Sequence, residues 1–498
     1  MNQNNISTAE LFQRVRELLT LPELEPKTRN KMMHDTLILC CHEGVKETKQ
    51  AFGNLFSQVD YLCKAHGIKV ADKIAIQTMR RHSNSQEPLS SEDLKYDARA
   101  LAIFISAVFG VDVPHELNVL IPHTNRPYQK GLEINNRRIR CIVKNWDSDF
   151  IRVDIDQDAD EEEYLVQLKD EENHIDHTYL WDILKEGMQL NLLDCQVKQP
   201  VITPRLIVVE PDYLVDISSI ATCFTAFGHH PLLYLLNQMK PRANTQATLL
   251  GNFAGAALDD IINTNGKYQM NETIKTNFRE KALEFCTCPW FDAKKFYTDA
   301  NQQAFNLQQV VDILFPRTAS QAQMSAFRGE SLYDRKKAIL EPSFVCEALG
   351  IQGRVDLMTT DCKLLVEQKS GRNMNIETHQ VDPGYHSYQL EPHYVQLLLY
   401  YGVLQHNFKL SNDRVNIRLL YSKYQPQDGL MVVAYYQKLF KEAIEYRNQL
   451  VAASFEIAKE GFEHALNEFT PEVLNVAGTQ DFFYNKYLKP QIEAITSP

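Results

Sequence analysis

The stretch GRVDLMTTDCKLLVEQKSGR, residues 353–372, sets Asp356, Glu367 and Lys369 among aliphatic residues. Two carboxylates can hold a divalent cation, and an ammonium beside them can orient or deprotonate an attacking water. GRVDLM and KLLVEQK are strand-like runs separated by the polar TTDC, so an antiparallel hairpin is expected. With Asp361 and Cys362 as a two-residue turn, residue 360 faces 363 and Asp356 faces Glu367. The period of two then puts Lys369 on the Glu367 face. Like charges opposed across a hairpin destabilise it, and burying them costs more still unless something neutralises them. A cation would do so, and oxygen ligands of this kind suit Mg²⁺ or Mn²⁺.

An acid, any residue and then Lys is a common pattern, recurring here at Glu47, Asp93, Asp292, Asp334 and Asp361. Glu367 differs in its strand context, in the Gly-x-x-Asp upstream and in a third element downstream, EPHYVQLLLYYGVL (391–404). Pro392 suits the first turn of a helix, and His393, Gln396 and Tyr400 then share one face. In that order GRVD (353–356), EQK (367–369) and QLLLY (396–400) resemble the PD-(D/E)XK nucleases of the RecB and AddB type. The resemblance covers about residues 205–430, and the lead-in from 207 to 241 looks like the nuclease half of helicase-nucleases of the Dna-Two type.

The resemblance implies an α/β (α+β) core, a restriction-endonuclease-like mixed sheet flanked by helices. It implies hydrolysis of DNA phosphodiesters, on single-stranded or flapped DNA, in repair or replication and beside a helicase. The tail FFYNKYLKPQI resembles the point at which such proteins continue into a helicase. By the same carry-over, Asp356, Glu367 and the Gln368 carbonyl bind the metal, Lys369 serves the water, and Gln396 and Tyr400 support the site and the strand. Glu341 is an additional acidic candidate. Two features depart from the family. Gly255 occupies the helix position where relatives often carry a metal-binding His. Cys223 matches the first cysteine of the iron–sulfur cluster found in many relatives, yet no cysteine follows Cys362, so no complete cluster is expected. A catalytically inactive scaffold is the competing expectation, with Asp356 and Glu367 held as ion pairs by Arg354 and Lys369.

The chain of 498 residues is long enough for roughly three domains. Helical spacing predicts a helical domain over 1–112, with LSSEDL opening its last helix. Short β-rich runs predict a small β domain over 116–175, the nuclease core follows over 205–430, and 431–498 reads as helical. The acidic run 154–173 lacks the Gly and Glu spacing of a calcium loop, and Cys286, Cys288 and Trp290 read as core residues. The chain carries no P-loop, G-x-S-x-G, H-E-x-x-H or dinucleotide fingerprint. A net charge of −12 argues against a globally basic nucleic-acid coat and leaves a local groove. MNQNNISTAE lacks the regions of a signal peptide and no apolar run is long enough to span a bilayer, so a cytoplasmic protein is expected.

Overall fold

The computed structural model describes residues 7–461, leaving out positions 22, 49–51, 53–54, 85–87, 127–136, 156–162, 172, 226–227, 240–243, 381–387 and 411–414, together with Pro490. The expected helicase-adjoining tail lies outside the described residues. The chain divides into one unit of residues 1–213 with 454–461 and a second containing 214–453.

The first unit opens with helices that bury an apolar core including Val15, Met33, Leu37, Leu101 and Phe104. Its longest-lasting signal in the sequence is the helix Ser91–Phe109. Ser90 accepts from the Asp93 N–H and Asp93 reaches back to the Ser90 N–H, while Gly110 ends the helix in the left-handed region that glycine tolerates. A seven-stranded sheet follows, in the order Gln196–Lys198, Val201–Thr203, Tyr164–Gln167, Phe150–Ile155, Arg138–Trp146, Gln189–Leu193, Leu206–Val209. Its strands extend past the expected limit at 175 to Val209. The later ones are short, and Gln189–Leu193 is buried throughout, so it lacks the alternation that marks a half-exposed strand.

The second unit is built on a five-stranded mixed sheet, ordered Ala338–Leu340, Leu357–Thr359, Leu364–Lys369, Asn416–Tyr421, Leu430–Val432. All its pairings are antiparallel except that of Leu364–Lys369 with Asn416–Tyr421. Parallel strands need a crossover, which here contains the helix Glu391–Phe408, with Pro392 in its first turn. Helices Gln246–Asn263 and Ala293–Leu314 pack their apolar faces against Leu357, Leu364, Val366 and Leu420 of the sheet. A smaller sheet of Val215–Asp216, Ile351–Arg354 and Ser343–Cys346 stands beside it. The architecture is α+β.

Trp290 does not join the core: it is 97% exposed at φ 58°, whereas its neighbour Phe291 packs among Phe278, Phe285 and Phe296. Cys286 is exposed as well, and only Cys288 of the three is buried. A short turn between helices cannot aim every apolar residue inward. Among the described residues, no helix is long and apolar enough to cross a membrane.

Candidate active site

The hairpin forms in the expected register, with Leu357 opposite Val366 and Met358 opposite Leu365. Its loop is wider than a two-residue turn. The Cys362 N–H donates to the Thr359 carbonyl, and Thr359 Oγ1 accepts from the N–H groups of Lys363 and Leu364. The threonine hydroxyl satisfies the donors that a two-residue turn would have used in the ladder. The register is unchanged because residues join the loop equally from both sides.

Asp356 lies in the bend just before its strand. One carboxylate oxygen, Oδ2, accepts from the Gln368 N–H at 2.6 Å, which ties it to the end of the neighbouring strand. Glu367 is 3% exposed. Lys369 Nζ donates to Glu367 Oε1 at 2.8 Å and to Gln396 Oε1 at 2.8 Å. The other carboxylate oxygen, Glu367 Oε2, is buried with no hydrogen-bond partner among the described residues. Buried polar atoms are nearly always satisfied, so this bare oxygen requires an explanation.

Burial pushes the Glu367 carboxyl up to about 8, and the charge of Asp356 pushes the same way against the pull of Lys369. Asp356 is raised too, by burial first, with the Gln368 N–H holding it down. Without a cation, the folded state therefore keeps Glu367 largely protonated at neutral pH, and ionising both acids together would need positive charge beyond the one lysine.

The downstream helix closes the site. Tyr400 donates its hydroxyl to the Arg354 carbonyl at 2.6 Å. Its ring lies so close to the chain that a Cβ on Gly353 would meet Tyr400 Cε1 at 2.9 Å. This close approach accounts for the glycine of GRVD. His393, one turn before Gln396, shares a 2.9 Å hydrogen bond with the Tyr421 hydroxyl, which also accepts from the Leu390 N–H. The far side of the motif strand is anchored by helix Ala293–Leu314. Gln303 donates to the Ser370 carbonyl at 2.8 Å, Asn306 donates to the Ser422 carbonyl at 3.0 Å, and the Ser422 N–H donates to the Lys369 carbonyl at 2.9 Å. The strand carrying Glu367 and Lys369 is therefore fixed from both sides.

Glu341 stands at the edge of the site. Its N–H donates to the Asp356 carbonyl at 3.0 Å, and its carboxylate pairs with Arg354 at 3.2 Å. Arg354 thus holds Glu341, whereas the competing expectation paired it with Asp356. Gln368 gives its N–H to Asp356 and its side-chain amide to Ser422 Oγ at 3.1 Å.

Asp259 enters as a residue that the hairpin and helix motifs do not reveal. Burial and the charges of Glu341 and Asp356 push its carboxyl up to about 7. It lies one turn beyond Gly255 on helix Gln246–Asn263, and its position is set by tertiary packing rather than by any local spacing.

Among the described residues, no three His, Cys, Asp or Glu side chains are gathered at chelating distance. Lys369 occupies one oxygen of Glu367 and leaves the other bare. That bare, buried oxygen beside a second carboxylate fits a hard divalent cation completed by water, because Mg²⁺ commonly takes only one or two protein carboxylates. The chain matches no protein-family model and no curated protein.

Proposed function

We propose that the second unit is a PD-(D/E)XK nuclease with a restriction-endonuclease-like fold, hydrolysing DNA phosphodiesters with Mg²⁺ or Mn²⁺. The bare Oε2 of buried Glu367 beside Asp356 is the observation that carries the proposal. The convergence of GRVD, EQK and QLLLY on one end of the sheet supports it further. Single-stranded or flapped DNA and a helicase partner, in repair or replication, follow from the resemblance.

In this mechanism Asp356 and Glu367 would hold the cation, with Glu341 and the Gln368 carbonyl as further oxygen ligands. When bound, the cation lowers the pKa of a water and shields charge growing on the phosphate. Lys369 is held by Gln396 and Glu367, so its ammonium is aimed before substrate arrives. It orients the attacking water and, as a compact positive charge, donates hydrogen bonds to the phosphate oxygens on which negative charge develops. Tyr400 braces the Gly353–Arg354 backbone on which Asp356 depends. Arg354 and Arg372, each largely exposed, supply cations for flanking phosphates once released from Glu341 and Glu377.

A second reading is favoured by one observation, the 2.8 Å ion pair of Lys369 with Glu367. A catalytically inactive scaffold would keep that pair to hold its fold and bind nucleic acid without cutting it. Incubation of the purified chain with labelled single-stranded DNA and Mg²⁺ or Mn²⁺ separates the two. Cleavage that disappears in Asp356→Ala and Lys369→Ala supports the nuclease. Binding without cleavage supports the scaffold, and absence of both overturns each of them.

A further inference from the structure

We infer that Arg372, Lys423 and Tyr424 form a seat for one backbone phosphate of a DNA strand, and that the carboxylate of Glu377 fills this seat until DNA displaces it. The inference rests on the nuclease reading above and deepens it, adding a substrate subsite and an internal competitor for that subsite.

A carboxylate and a phosphodiester are gripped by the same donors, a guanidinium fork, an ammonium or a hydroxyl. Here all three converge on one oxyanion. Arg372 Nε lies 3.1 Å from each oxygen of Glu377, and Arg372 Nη2 pairs with Oε2. The Tyr424 hydroxyl donates to Glu377 Oε1 at 2.8 Å, and Lys423 Nζ stands 3.6 Å from the same oxygen. The donors rest on a braced turn. The Tyr424 hydroxyl accepts from the Asn373 N–H at 2.8 Å. Asn373, fully buried, caps the helix Met374–Thr378 by accepting from the N–H groups of Asn375 and Ile376, and it donates its amide to the Tyr388 carbonyl at 2.7 Å. Arg372 is 64% exposed, so the seat opens to solvent.

The seat adjoins the motif strand. Lys369 and Tyr421 are register partners in parallel strands that end at the same edge of the sheet. Arg372 follows Lys369 by three residues, while Lys423 and Tyr424 follow Tyr421 by two and three, so each lies within about 10 Å of chain from the strand ends. The Tyr421 hydroxyl accepts from the Leu390 N–H at the start of the helix whose Gln396 holds Lys369. With Asn373 reaching Tyr388, the seat stands on the side of the edge where Gln396 meets Lys369. A Cβ on Gly371 would meet no atom within 4 Å, so the backbone between Ser370 and Arg372 leaves room for a strand. An exposed ion pair is weak, and a phosphate that brings the same oxygens with more charge can replace Glu377.

Titration of the full chain with labelled oligothymidine in EDTA, over a range of salt, reads binding without turnover. Glu377→Gln should tighten binding on the order of fivefold, the size of one partly exposed ion pair. Arg372→Gln and Lys423→Gln should each weaken it, and each should lower the slope of log affinity against log salt by about 0.7, the loss of one phosphate contact on a single strand. The gain from Glu377→Gln should disappear when combined with Arg372→Gln, because the vacated seat has then lost its fork; mere removal of a negative charge would keep the gain. If Glu377→Gln binds as the unaltered chain does, or keeps its gain without Arg372, the seat is wrong, and Mg²⁺-dependent cleavage by the same proteins still reports on the nuclease reading. Tightening in Glu377→Gln with no cleavage by any of them would uphold the seat and overturn the nuclease reading alone. Absence of oligothymidine binding by the unaltered chain would overturn the seat together with the substrate on which it depends.

Discussion

Asp60 in the first unit and Glu367 in the second are buried almost equally, at 2% and 3% exposure, yet their surroundings are opposite. Asp60 lies between two ammoniums, Lys73 at 2.5 Å and Lys64 at 3.2 Å, and Lys73 continues to Asp154 at 3.3 Å. Glu367 has one ammonium, one bare oxygen and a second carboxylate beside it. The first arrangement supplies its own counter-charge: Asp60 Oδ1 makes no hydrogen bond of regular geometry, yet the Lys73 ammonium faces it. The second lacks positive charge, and a shortage of that kind at a buried position marks where an external ion belongs.

The same chemical change should therefore act in opposite directions at the two places. Glu367→Gln should abolish metal-dependent DNA cleavage, by about a thousandfold or more, because it removes a cation ligand. It should also raise the melting temperature of the metal-free protein, since an amide carries no charge to desolvate. Cleavage rates and calorimetric melting on one preparation check both halves.

The pH dependence of the metal-free protein sharpens the contrast. Glu367 rises from 4.5 to about 8 on folding, so the folded state favours its protonated form. Its stabilising contribution is complete below about pH 4.5 and is lost as pH climbs through 8, on the order of a few kcal/mol. His229 is raised from 6.5 to about 9 because Glu391 at 2.6 Å and Glu442 at 2.8 Å outweigh its burial. Its contribution is present below 6.5 and is lost as pH rises through 9. Losses below pH 6.5 should shrink in Glu367→Gln, with Asp259, pushed up to about 7, accounting for part of what remains, whereas losses above it should shrink in His229→Gln. Denaturation midpoints from pH 4.5 to 9.5 separate the two.

Lys369→Ala should slow cleavage about a hundredfold while leaving DNA binding nearly intact, which single-turnover rates and a binding titration distinguish. Asp60→Asn should lower stability by about 2 kcal/mol, since it strands two ammoniums against one another, with no effect on the chemistry of the second unit. Gly353→Ala should destabilise by about 1 kcal/mol or somewhat more, because the methyl group meets the Tyr400 ring.

Local signals carried much of this structure. Ser90 and Asp93 announce a helix start, and the alternation of GRVDLM and KLLVEQK sets a register that survives an unexpected four-residue loop. Gln396 was visible from helical spacing, because positions three and four apart must share a face. Asp259 was not visible, since nothing in its own helix distinguishes it from the adjacent Asp260; only the packing of that helix on the sheet brings it towards Asp356. The role of Gly353 was hidden for the same reason: the ring that needs its missing side chain is on Tyr400, far along the chain. Trp290 shows the converse failure, an apolar residue whose exposure composition does not foretell.

The most direct test follows the melting temperature of the unaltered chain and of Glu367→Gln at pH 8 as Mg²⁺ or Mn²⁺ is added. A cation that satisfies the bare Glu367 oxygen must bind the folded state and raise the melting temperature of the unaltered chain, with little or no rise in the variant. Equal shifts in both proteins, or no shift in either, would contradict the account.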